Sequence, residues 1–115
     1  MTYWCAVQTH VRSEDKAAFH LRQQGYDVFL PKYLKRRKHA RRIDWVSAPL
    51  FPRYLFVAID PDTTPWGAIR STIGVSNLIC FDGAPAAVPA AIITEIWARQ
   101  DEKGLVKTHA GCAFK

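Results

Sequence analysis

The groups in this 115-residue chain that can move protons, hold metal or act as nucleophiles are four histidines, three cysteines and ten carboxylates. His10, His20, His39 and His109 fall on different predicted elements, and none forms H-E-x-x-H, H-x-H or another metal-binding spacing. His39 lies within a run of cations. Cys5, Cys80 and Cys112 make an odd count with no C-x-x-C pair, so neither a disulfide framework nor a zinc knuckle is expected. A reduced, cytoplasmic setting is expected instead. Glu14 with Asp15, and Asp101 with Glu102, are adjacent carboxylates near predicted helix ends, where the helix dipole and solvent account for them. There is no glycine-rich phosphate loop and no nucleophile elbow. No catalytic residue, metal site or cofactor is therefore expected, and an enzyme is not the reading.

Binding chemistry is better represented. Sixteen Lys and Arg against ten Asp and Glu give a net charge of +6, which favours a polyanion among the partners. Seven of the sixteen lie in Lys32 to Arg42, with no acidic residue among them. Cations packed so densely repel one another and rarely form core, so this stretch reads as a hairpin arm projecting from a sheet. Its Lys35, Arg36, Arg37 and Lys38 either are simply solvated or attract phosphate without regard to sequence. The second conspicuous stretch, Ala48 to Ile59, is apolar on both parities of a strand. Leu55, Val57 and Ile59 share one face, and Tyr54, Phe56 and Ala58 share the other. Either the strand is central and covered on both sides, or one face docks a partner. Pro52 donates no backbone hydrogen bond, so Phe51 stands outside the pairing as a large aromatic at the strand entrance.

The elements that must position these residues follow from periodicity and caps. Tyr3 to Thr9 reads as a strand, and Glu14 to Gln24 as a helix with Ser13 as N-cap and Gly25 as C-terminal cap. Lys16, His20, Gln23 and Gln24 on its polar face are solvated or meet a nucleic acid. Asp27 to Tyr33 is a second strand, with Pro31 marking an edge or bulge. The return from the arm begins at Ile43 to Val46 and continues as the strand at Ala48 to Ile59. A short helix is predicted over Pro65 to Thr72, capped by Thr63 or Thr64 and stopped by Gly74. A strand over Ser76 to Phe81 leads to the Asp82-Gly83 turn, a linker of small residues and a helix from Pro89 to Gln100. That helix carries Ile92, Ile93, Ile96 and Trp97 on one stripe. The order β-α-β-β-α-β-α predicts an α+β fold, with helices packed on a small four-stranded antiparallel sheet. Residues 1–103 are expected to form the domain, and Leu105 to Lys115 has no usable period. No stretch approaches the ~20 apolar residues of a membrane span, and no secretory signal is evident.

The segment P-L-F-P-R-Y-L-F-V at Pro49 to Val57, then W-G-A-I-R-S-T-I-G-V at Trp66 to Val75, behind an aromatic first strand, resembles the N-terminal domain of NusG-type transcription elongation factors. Within that family it is most similar to the specialised RfaH-type paralogues, and the likeness runs from about Tyr3 to about Trp97. The resemblance implies a monomeric domain that binds bacterial RNA polymerase at the clamp helices of its largest subunit. It also implies a reach across the DNA cleft to a loop of the second-largest subunit, suppressing pausing. The implied clamp surface is Phe51, Pro52, Tyr54, Phe56, Ile93 and Ile96. The second polymerase contact falls on Thr63, Thr64, Pro65, Trp66 and Gly67, where RfaH-type proteins carry His-Thr-Thr. Contacts to the non-template DNA strand fall on His10, Lys16, His20, Gln24, Arg70 and Thr72, with Ile73 replacing a base-contacting Arg. Full-length relatives add a C-terminal KOW domain that binds the ribosome or Rho, and residues 104–115 are the expected linker or its opening. Ala48 stands where RfaH-type proteins hold an acidic residue of their closed form. The alternative from another class is a free-standing single-stranded nucleic-acid-binding module whose aromatic strand stacks on bases.

Overall fold

The computed structural model describes residues 1–107. In chain order, β1 (Tyr3–Thr9) is followed by α1 (Glu14–Gln23), β2 (Asp27–Phe29), β3 (Lys32–His39), β4 (Arg42–Pro49) and β5 (Tyr54–Ile59). A single 3₁₀ turn at Gly67–Ile69 precedes β6 (Val75–Leu78), β7 (Cys80–Phe81), β8 (Ala84–Pro85), β9 (Ala87–Val88) and α2 (Ala90–Ala98).

The main sheet runs β2-β5-β1-β6, and β9 pairs with β1 at Trp4 and Cys5, on the edge of β1 that β6 uses further along. It therefore has five strands, not four, and all its pairings are antiparallel. The Ala84 to Ala87 stretch is not a linker but β8 and the start of β9. The predicted strand at Ser76 to Phe81 divides at Ile79, and β7 pairs with β8 across the Asp82-Gly83 turn.

Both faces of β5 are packed at the middle of the strand, while Tyr54 at its entrance is only half-buried. Cys5 and Val7 of β1 lie opposite Val57 and Leu55, and this face packs beneath Ala17, Ala18 and Leu21 of α1. On the other face Phe56 and Phe29 pack with Ile93 and Ile96 of α2 and with Val106. One helix thus lies on each side of the sheet, with Leu55, Val57 and Ile59 buried on one parity and Phe56 on the other.

Burial pushes the Cys5 thiol up from its ordinary 9.0 to about 12, and its Sγ donates to the Val57 carbonyl at 3.3 Å. The sign follows from linkage: above pH 9 the unfolded chain loses this proton while the folded chain keeps it. Stability should therefore fall from pH 9 toward pH 12, by up to about 1.4 kcal/mol per pH unit from this group. Urea midpoints between pH 8 and pH 10.5 should drop less steeply in Cys5→Ala than in the parent. Parallel curves would remove Cys5 as the cause.

Three local expectations give way to tertiary contacts. Ser13 occupies the N-cap of α1 but makes no side-chain cap bond, because its hydroxyl donates to the Val11 carbonyl at 3.3 Å. The predicted helix over Pro65 to Thr72 shrinks to one 3₁₀ turn. The Thr64 hydroxyl there accepts the Asp60 N–H at 3.1 Å instead of capping forward. The predicted long second strand stops at Phe29. Pro31, which is fully buried, then separates it from the arm.

The arm is the β3–β4 hairpin, and its strands pair with each other from Lys32↔Pro49 out to His39↔Arg42. It forms its own two-stranded sheet, rooted at its base. There the Leu50 N–H donates to the Pro31 carbonyl at 2.8 Å, the Val106 N–H donates to the Lys32 carbonyl at 2.7 Å, and Lys32 pairs with Asp15. His109 and Cys112 lie outside the described residues.

Candidate functional site

The turn that joins the arm to β5 carries Phe51 and Pro52. It is fixed from beneath by Glu14, a 9% exposed carboxylate whose Oε2 accepts the Arg53 N–H at 2.9 Å. The Arg53 carbonyl in turn accepts the Thr9 N–H at 2.7 Å. Arg53 sits at φ 71°, a left-handed conformation that such anchoring holds in place. Phe51 is consequently aimed edge-on at Phe56, with ring centroids 5.8 Å apart.

From there an aromatic row continues across the sheet: Phe56 to Phe29 at 6.2 Å, and Phe29 to Trp97 of α2 at 5.2 Å. The resemblance-derived residues Phe51, Phe56, Ile93 and Ile96 all belong to this one group, and Tyr54 shares the strand face of Phe56. Their exposure differs sharply. Phe56, Ile93 and Ile96 are 7%, 4% and 3% exposed, so they are packed core and not an open surface. What solvent reaches is the rim: Pro52 is exposed, and Phe51 and Tyr54 are half-buried. Trp97 and Ile92, assigned by helical spacing to the buried stripe, are 59% and 47% exposed and extend that rim over α2.

A second group forms where α1 meets the turn before β6. Gly74, at φ 91°, comes so close to α1 that an added Cβ would lie 2.9 Å from the Ala17 nitrogen. The Gly74 carbonyl accepts the His10 N–H at 3.0 Å, so the loop entering α1 and the helix's first turn both meet this turn. Gln24 Nε2 donates to the Thr72 hydroxyl at 2.8 Å and to the His20 carbonyl at 3.2 Å, and Thr72 Oγ1 donates to the Ala68 carbonyl at 2.9 Å. His20, Gln24 and Thr72 are thereby brought together. Thr72, 6% exposed, acts as the post that holds Gln24.

His10 and Lys16 stand exposed on the same side, and His20 meets the exposed Phe19 edge-on at 5.2 Å. Arg70 is exposed, with its guanidinium 3.2 Å from Cys80 Sγ. Lys35, Arg36, Arg37 and Lys38 are apart from this group, on the arm. Gly74→Ala should cost roughly 2–5 kcal/mol, the sum of an unfavourable positive φ and overpacking against helix backbone. Thermal unfolding should show it, and an unchanged midpoint would mean that the turn does not seat on α1.

The residues expected to make a second polymerase contact split. Thr63, Thr64 and Pro65 line an open cleft of about 520 Å³ together with Gln24, Gly25, Tyr26 and Ala68. Gly67 is exposed, whereas Trp66 packs against the α1-side core and serves the fold. The Tyr26 hydroxyl donates to the Pro65 carbonyl and pins the cleft's rim, and partial burial raises its pKa. Asp60, at the head of this loop, accepts the Asp62 N–H at 3.0 Å, which holds its carboxyl below the ordinary value. Among the described residues no group of three or more His, Cys, Asp or Glu is placed to hold a metal ion, and no helix is long and apolar enough to cross a membrane.

The chain is thus a mixed α/β domain with a helix on each sheet face, a half-open aromatic rim and a basic hairpin in a sheet of its own. The chain belongs to the NusG family: the family model described as transcription termination factor nusG matches residues 2–97. Factors of this family act in transcription termination and elongation and associate with RNA polymerase. In three dimensions the chain is similar to NusG of Thermotoga maritima, from a structure of domain interaction in that protein. The TM-score is 0.55 and the identity 21%, over all of this chain and 68% of that one. At that identity the likeness is one of fold.

Proposed function

We propose that this domain is an elongation and antitermination factor module that docks on the clamp helices of bacterial RNA polymerase through the aromatic rim. The observation that carries the reading is the Phe51–Phe56–Phe29–Trp97 row in a NusG-family chain, buried at its centre and open at both ends. Rigid aromatic anchors on a supported base are what a helix-docking surface requires. Phe51, Pro52 and Tyr54, with Ile92 and Trp97, make the contact, while Phe56, Ile93 and Ile96 hold them in place. Thr63, Thr64, Pro65 and Gly67 around the cleft reach the second-largest subunit, closing a bridge over the DNA and suppressing pausing.

The His10, Lys16, His20, Gln24 and Arg70 surface then faces the non-template strand. Its residue types are those of an RfaH-type reader at His20 and Gln24. Ile73, 59% exposed, replaces an Arg there and shifts the preferred sequence. The protein works as a cytoplasmic monomer on the polymerase, and any link to the ribosome or Rho belongs to a C-terminal KOW domain. The test is titration of the chain against bacterial core RNA polymerase, together with pause lifetimes on a template carrying a strong pause. Tight binding and shortened pauses support the reading. No binding by the folded chain ends it, and shifts weight to a nucleic-acid module that acts alone.

A further inference from the structure

The arm's register separates its two faces chemically. Residues directly opposite in an antiparallel pair lie on the same face. One face therefore holds Lys35, Arg37 and Arg42 with Asp44, which approaches Arg37 to 3.8 Å and cancels part of that charge. The other face places Arg36 across from Trp45 and Lys38 across from Ile43.

Trp45 is 60% exposed and Ile43 51%, so this face of β4 lies open to solvent. Arg36 and Lys38 have no carboxylate partner among the described residues. The face is thus two parallel tracks. Cations lie about 6.7 Å apart along β3, and flat or apolar side chains run beside them along β4.

We infer that this face of the arm is a binding site for single-stranded nucleic acid, with phosphates along Arg36 and Lys38 and a base stacked on Trp45. A duplex would offer phosphates but bury its base faces, leaving the indole without a partner. A simple polyanion would use the cations and ignore the aromatic track. Single strands fit both tracks, because cationic grooves with aromatic platforms are how unpaired bases are held without sequence readout. The site lies on a separate sheet from the His20 and Gln24 surface and does not depend on polymerase docking.

The experiment measures anisotropy of labelled 12-nucleotide oligo-dT, an abasic strand of equal length and a duplex, across a salt series, with the full chain. The parent should bind oligo-dT more tightly than the abasic strand. Trp45→Ala should weaken oligo-dT by roughly 5- to 140-fold, the range that loss of one stacked base implies, and leave the abasic strand unaffected. Trp45→Phe should retain most of the affinity. Trp45→Leu, which keeps an apolar side chain on the strand, should lose it. Arg36→Gln with Lys38→Gln should weaken both strands and reduce the log–log salt slope by up to about 1.4, two phosphates' worth. The inference is overturned if Trp45→Leu binds oligo-dT like the parent, if the tryptophan variants lose both strands equally, or if the duplex binds tightest whatever residue occupies position 45.

Discussion

Phe56→Ala should lower the unfolding free energy by about 3–5 kcal/mol, the usual cost of emptying a buried phenylalanine site. The magnitude is large because Phe56 is shared by two layers. It sits on β5 between the rings of Phe51 and Phe29, and Ile93 and Ile96 of α2 pack in the same group. Collapse into the cavity would have to move a helix and a strand together, so little of the loss can be recovered. Tyr54→Ala, two residues earlier on the same strand face but half-buried, should cost no more than about 1–2 kcal/mol, in the ordinary range of partly exposed sites. Urea unfolding of the two variants side by side gives the comparison. If Phe56→Ala left the midpoint in place, the α2 layer would not be packed on the sheet in solution. Phe56 would then be free to join the docking surface directly.

That contrast also shows what the chain's own pattern could and could not reveal. Strand parity placed Tyr54 and Phe56 together and Leu55, Val57 and Ile59 opposite, and both faces formed as spacing required. β1 and α1 were legible for the same reason, since a local period decides them. The covering of Phe56 was not legible. It depends on α2, which is far away in sequence and whose short stripe could be phased in more than one way. Spacing grouped Trp97 with Ile93, yet α2 is only nine residues long and seats Ile93 and Ile96, which leaves Trp97 at the margin against Phe29.

β9 was missed because Ala87 and Val88 carry no period and become a strand only by pairing with Trp4 and Cys5. The expected helix after Pro65 failed through a competing bond, as the Thr64 hydroxyl turns back to Asp60. The juxtaposition of Gln24 with Thr72 was implied only by resemblance. The physical cause, a glycine that lets the turn touch Ala17, needs the third dimension. Trp45 drew no notice in the sequence, because only the register of β3 with β4 reveals that its face lacks the neutralising carboxylate.

The double variant Tyr54→Ala, Trp97→Ala should bind core RNA polymerase at least about 30-fold more weakly than the parent, since one buried aromatic anchor is worth 2 kcal/mol or more at an interface. Neither side chain is part of the packed centre: Tyr54 is half-buried and Trp97 is 59% exposed. The variant should therefore stay folded, and its weaker binding would report a lost contact and not a lost domain. This is the reason to prefer it over variants of Phe56, Ile93 or Ile96, in which instability and lost docking cannot be separated. Two controls sharpen the outcome. Lys16→Ala should keep polymerase affinity, because it lies exposed on α1 and lines neither the rim nor the cleft. Trp45→Ala should keep it as well, because the arm is a separate sheet. A double variant that binds like the parent would displace the docking surface from the aromatic rim. Equal losses in all three variants would instead mean that polymerase affinity runs through nucleic acid, since only that partner would touch the rim, the α1 surface and the arm together.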